Sequence, residues 1–173
     1  MPELELLRQF DGSGPREFFA SGFELTDDDD EVGEGYSEDP EFARGFLAFA
    51  ANSTGSRIAF WRIDDRPDPS TLPIVAFGDE GGISLVARSL RELFQLLACD
   101  MDLWVYPGGL DFVRWDEDAG PSQRHGEYVA WLEARFGLAP ASDPNAVVEA
   151  TTAELGEAFD AWMARFGVEN NWD

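Results

Sequence analysis

Three consecutive stretches decide the fold class: Arg44-Gly45-Phe46-Leu47-Ala48-Phe49-Ala50, then Asn52-Ser53-Thr54-Gly55-Ser56, then Arg57-Ile58-Ala59-Phe60-Trp61-Arg62-Ile63-Asp64. Two short apolar runs rich in aromatics flank a cluster of turn formers, which predicts an antiparallel hairpin. Residues 73–77 and 83–87 predict two further strands, joined by the turn Gly78-Asp79-Glu80-Gly81-Gly82. Connections this short favour antiparallel pairing, because a parallel crossover needs about a dozen residues or more. Ser89 and Glu92 then form a capping box, and Leu90, Leu93, Phe94 and Leu97 recur at helical spacing, predicting an amphipathic helix over 90–98.

Upstream, Leu4, Leu7 and Phe10 suggest a short helix that ends near Gly12-Ser13-Gly14-Pro15, and Phe18, Phe19 and Phe23 begin to feed a core. From Glu24 to Glu41 there are ten acidic residues and no basic one, interrupted by Gly33, Gly35 and Pro40, which reads as an exposed loop. Downstream, β-like pieces at 102–106 and 111–115 flank Pro107-Gly108-Gly109. The tail turns helical: Tyr128, Trp131, Leu132 and Phe136 share a face closed by Gly137, and a second helix is read as starting at the capping box Thr151 and Glu154. The expectation is one α+β domain of 173 residues. Its sheet is expected to be mostly antiparallel, with an amphipathic helix packed on it. The core covers about 15–99 and a helical C-terminal extension about 100–173. Trp61, Trp104, Trp131 and Trp162 are expected to supply much of the burial.

Charge narrows the function classes. Thirty-five Asp and Glu against twelve basic residues, all of them Arg, give a net charge of −23. Such a surface repels nucleic acid and anionic lipid and attracts basic proteins, although acidity also simply serves solubility. Cys99 is the sole cysteine, so no internal disulfide forms and a reducing compartment fits. The acidic start Met1-Pro2-Glu3-Leu4-Glu5 lacks the features of a signal peptide, and no apolar run approaches the roughly 18 residues of a membrane span. A cytoplasmic location is expected.

Candidate chemistry is sparse. His125 is the only histidine, and metal sites and triads need several converging groups; it reads as a surface residue at a helix start. The cluster Asp27–Glu31 lacks the glycine an EF-hand requires at its sixth position, where Val32 stands. The turn 78–82 lacks the Lys and the following helix of a phosphate loop. Cys99 has no activating base and reads as a boundary residue. The sequence points to no enzyme, no metal and no cofactor.

The order and spacing of several features over residues 46–98 resemble the SUKH superfamily of cell-wall-assembly-regulator and knockout-type proteins. These are the aromatic strand Phe46-Leu47-Ala48-Phe49-Ala50, the turn with Gly55, the strand from Ile58 to Ile63, Leu72-Pro73-Ile74-Val75, the acidic turn Asp79-Glu80, and Val86-Ala87 leading into Ser89-Leu90 and Glu92-Leu93. Ser56-Arg57 follows the turn glycine where members often carry an acidic or amide residue, and the tail beyond Asp100 is particular to this chain. The resemblance implies a mixed, mostly antiparallel, curved sheet with helices packed on one side. It also implies a bacterial immunity protein that binds and neutralises a cognate toxin, often a nuclease, or else a regulatory interaction module. The interface residues expected for a basic toxin are Asp27, Asp28, Asp29, Asp30 and Glu31, the turn Asp79 and Glu80, and Asp116, Glu117 and Asp118. For a scaffolding module, exposed aromatics such as Trp115 and Trp172 would matter more than charge.

Overall fold

The computed structural model of the chain describes residues 1–26, 32–33 and 35–169. Five strands form a meander in chain order: β1 (Glu24–Leu25), β2 (Phe46–Ala51), β3 (Arg57–Trp61), β4 (Ile74–Phe77) and β5 (Ile83–Ala87). Every neighbouring pair is antiparallel, so the mixed component of the expected sheet is absent among the described residues. A separate hairpin, β6 (Asp102–Tyr106) and β7 (Gly109–Val113), lies against β5. The helices are α1 (Pro2–Gly12), α2 (Pro40–Arg44), α3 (Leu90–Leu97), α4 (His125–Phe136) and α5 (Pro144–Ala164). The expected α+β architecture, with a predominantly antiparallel sheet and a helical C-terminal part, is what the chain forms. Register shifts at Ala48/Ala50 and at Ile74/Val75 are bulges, which increase local twist and bend the sheet.

Side chains on successive strand residues point to opposite faces, and here both parities are apolar. Phe49, Ile58, Phe60, Ile74, Ala76 and Val86 enter one buried cluster with Leu4 and Leu7 of α1, Leu93 and Phe94 of α3, and Tyr128 and Leu132 of α4. Phe46, Ala59, Trp61, Val75, Phe77 and Leu85 enter a second cluster with Phe42 of α2 and with Phe159 and Met163 of α5. Each such Phe or Leu contributes about 1.5–3 kcal/mol on full burial. The sheet is therefore covered on both faces, not on one as expected. The reason lies in the strands: β4 and β5 are buried at every position and have no polar face to offer to water.

Two local expectations are corrected. The acidic stretch 24–41 is not wholly loop, because Glu24 and Leu25 pair with Ala51 and Ala50, and Asp39 caps α2 by accepting from the Glu41 amide at 2.8 Å. The last helix begins at Asp143, whose carboxylate accepts from the Asn145 and Ala146 amides, so Thr151 lies inside it. The Thr151 hydroxyl instead donates back to the Val147 carbonyl at 2.9 Å. A Thr-x-x-Glu spacing recurs inside helices, whereas an Asp-Pro step marks a start more firmly. Among the described residues no helix is long and apolar enough to cross a membrane.

Candidate functional site

The β2–β3 turn, the β4–β5 turn and β6 meet at one end of the sheet and enclose a groove of about 300 Å³. Its base is set by Asn52, which is 8% exposed. The Asn52 amide donates to the Leu103 carbonyl of β6 at 2.8 Å, while its Oδ1 accepts from the Gly55 and Ser56 amides at 3.0 and 2.8 Å. One side chain thus closes its own turn and ties that turn to β6. Asp79 is held against the same turn: its Oδ1 accepts from the Ser56 hydroxyl at 2.9 Å and the Thr54 hydroxyl at 3.1 Å. Gly82, at φ +90°, lets the acidic turn press on the second hairpin, since a Cβ there would sit 2.8 Å from the Tyr106 carbonyl oxygen.

Opposite the acidic turn stands Asp102, whose Oδ1 accepts from the Ser21 hydroxyl at 2.8 Å. Beside it are Trp104 and Trp115, 40% and 67% exposed, two of the three large exposed hydrophobic side chains among the described residues. Their ring centroids lie 5.5 Å apart at 71°, and Trp104 also packs on Tyr106 at 4.5 Å. Tyr106 donates to Asp111 at 3.0 Å; burial first, and then that carboxylate, push its phenol pKa up, so it stays protonated. Trp115 sits on a loop clasped by Asp100. The Asp100 carboxylate accepts from the Ser122 amide at 2.8 Å and hydroxyl at 2.6 Å, and its carbonyl accepts from Arg114 at 2.9 Å. Asp100 adopts φ +53°, a left-handed conformation that Asp tolerates better than most residues.

Among the described residues the groove is thus lined by three carboxylates, Asp79, Glu80 and Asp102, with two tryptophans and no basic residue. Among the described residues no three His, Cys, Asp or Glu side chains come together to hold a metal ion. Spaced carboxylates beside aromatic faces suit an organic cation, a guanidinium or ammonium, which aromatic rings attract by about 0.5–1 kcal/mol when exposed and about 2 kcal/mol when desolvated. At about 300 Å³ the space lies at the lower end of the range of ligand pockets, about 300 to 1,000 Å³, and is large enough to take a single side chain.

Of the residues singled out from the sequence, Asp79 and Glu80 line the groove. Asp116, Glu117 and Asp118 follow Trp115 directly and are exposed, but do not line it. Asp27, Asp28, Asp29, Asp30, Glu31 and Trp172 lie outside the described residues. Asp102 and Trp104 were not among the expected site residues, and Trp104, expected in the core, faces outward. Its position carried the signal: Leu103 and Val105 on either side are buried, so the residue between them must point away. Cys99 donates from Sγ to the Ala141 carbonyl at 3.3 Å, and burial pushes its thiol pKa up, as suits a boundary residue. No family model, curated protein or solved structure matches the chain.

Proposed function

We propose that this protein is an immunity-type binding protein that neutralises a basic toxin domain, its tryptophan-lined acidic groove receiving an arginine or lysine of that partner. The observation that carries the reading is the gathering of Asp79, Glu80 and Asp102 beside the exposed Trp104 and Trp115 with no cation among them. A net charge of −23 supplies long-range attraction to a cationic surface, and the groove supplies short-range register. The resemblance of residues 46–98 to SUKH proteins supports the same reading. A nuclease toxin carries a basic substrate cleft, and carboxylates in that cleft take the place of phosphates.

The alternative is a scaffolding module without a toxin, which the exposed Trp104–Trp115 pair would also serve. The carboxylates around that pair favour the cationic partner. The test is co-expression with a basic nuclease toxin domain, taken from beside this chain's gene if one is encoded there. The intact protein rescues growth, and Trp104→Ala combined with Glu80→Gln abolishes rescue while the purified variant stays folded. Rescue by this variant at the wild-type level would reject the groove, and failure of the intact protein to rescue would reject the immunity reading.

A further inference from the structure

The end of the β2–β3 hairpin remote from the groove carries the opposite charge. There a shallow pocket of about 580 Å³ is lined by Arg44, Arg62 and Arg165, with Glu41 and Asp65 the acidic residues that line it among the described residues. A quarter of the arginines in a chain of net charge −23 thus meet at one place. Their backbones are fixed from three directions. Arg44 ends α2, Arg62 follows β3 and donates its amide to the Gly45 carbonyl at 2.8 Å, and Arg165 is the C-cap of α5. Trp162 knits these ends together, its ring 5.6 Å from Phe42, 5.2 Å from Phe46 and 5.9 Å from Trp61. Any Cβ at residue 45 would collide with that ring, which is why glycine stands there.

The pairing pattern is the second observation. Arg66, Arg88, Arg91 and Arg124 each hold a carboxylate. Arg44, Arg62 and Arg165 are in no ion pair with a described residue, although acidic groups outnumber arginines about three to one. Helix C-termini favour cations and account for the positions of Arg44 and Arg165. They do not account for Arg62, at the end of a strand, or for a concave space common to all three. Guanidinium forks donate paired N–H groups, and a tetrahedral oxyanion offers enough oxygens to be shared among three of them, where a carboxylate offers two.

We propose that this pocket binds a phosphoryl group, either free phosphate or the phosphate of a nucleotide whose base packs on the aromatic wall of Trp162 and Phe166. The site is independent of the acidic groove, since the two lie at opposite ends of strands about 15–20 Å long. The test is an amide-resonance titration of the full chain with inorganic phosphate, and separately with adenosine monophosphate, at ionic strength held constant with chloride. Saturable shifts confined to residues 44–45, 62–65 and 162–167 are expected, with a dissociation constant on the order of 1 mM for an exposed charged site. Arg62→Gln with Arg165→Gln should weaken binding at least tenfold, Arg62→Lys less, and Asp79→Asn in the groove not at all. Tighter binding of the nucleotide identifies it as the source of the phosphoryl group, and equal binding identifies the bare oxyanion. Shifts that fail to saturate, or that survive in the folded double variant, overturn the proposal.

Discussion

Single buried polar side chains hold this molecule's shape, and Arg124 shows it best. It is 2% exposed, yet it carries a charge. Its guanidinium donates to the Phe10 and Asp11 carbonyls at 2.9 Å each, closing the C-terminus of α1, while Nε reaches Glu127 at 3.2 Å and the Phe10 ring lies 4.8 Å away. Gly14 leaves the space this group occupies. Replacing Arg124 by Met takes the charged donor from the Asp11 carbonyl, while the Phe10 carbonyl keeps its bonds from the Ser13 amide and hydroxyl, and a loss of about 3 kcal/mol is expected in urea unfolding. Less than about 1 kcal/mol would mean that α1 closes without it. Tyr128 gives a pH prediction. It is buried and donates to the Phe94 carbonyl at 3.0 Å, and burial holds its phenol pKa well above the usual value near 10. The unfolded chain loses that proton first as pH rises, so the native state binds more protons above pH 10. Stability should therefore fall there by up to about 1.4 kcal/mol per pH unit. Tyr128→Phe should remove its share of that slope, and an unchanged alkaline slope would show that the phenol ionises in the folded state.

At the scale of elements, the groove depends on two clasps that tie loops to strands. Asn52 ties the β2–β3 turn to β6, and Asp100 ties both ends of the Trp115 loop to the end of α3. Asp100→Ala should speed amide exchange across residues 114–123 by tenfold or more while leaving β3 and β4 protected, since a local opening need not unfold the core. Exchange unchanged in that loop would show that Asp100 is not its anchor. How far these elements were legible in the sequence follows from the range of the interactions that make them. The strand at 83–87 and the helix led by Ser89 are written in local patterns, and they fall where those patterns placed them, the helix ending at Leu97. The second strand of the late hairpin runs from Gly109 to Val113, two residues earlier than 111–115, because the chain resumes pairing at once after Pro107-Gly108. β1 has only two residues and exists because β2 offers it an edge, a cause absent from residues 24 and 25 themselves. Asp79 and Glu80 were found as an acidic turn. Their company of Asp102, Trp104 and Trp115 comes from chain pieces more than 20 residues away, brought together only by folding.

The whole molecule is a doubly covered antiparallel sheet with an acidic, tryptophan-lined groove at one end of its central hairpin and three arginines at the other. On the proposed function, net charge would set how fast a cationic partner arrives, and the groove how long it stays. The amide substitutions Asp79→Asn, Glu80→Gln and Asp102→Asn remove three charges, yet keep an oxygen to accept the bonds from Ser56 and Ser21. They therefore isolate charge from fold. The most direct measurement is the association rate of the purified chain with a basic toxin domain whose growth inhibition it relieves, followed from about 0.05 to 0.5 M salt for the native and triple-amide proteins, conditions over which exposed charges pass from felt to screened. A native rate that falls tenfold or more across that range, with a slower and flatter profile in the triple variant, is the predicted result. A rate indifferent to salt, or the same in both proteins, would contradict a grip built from carboxylates.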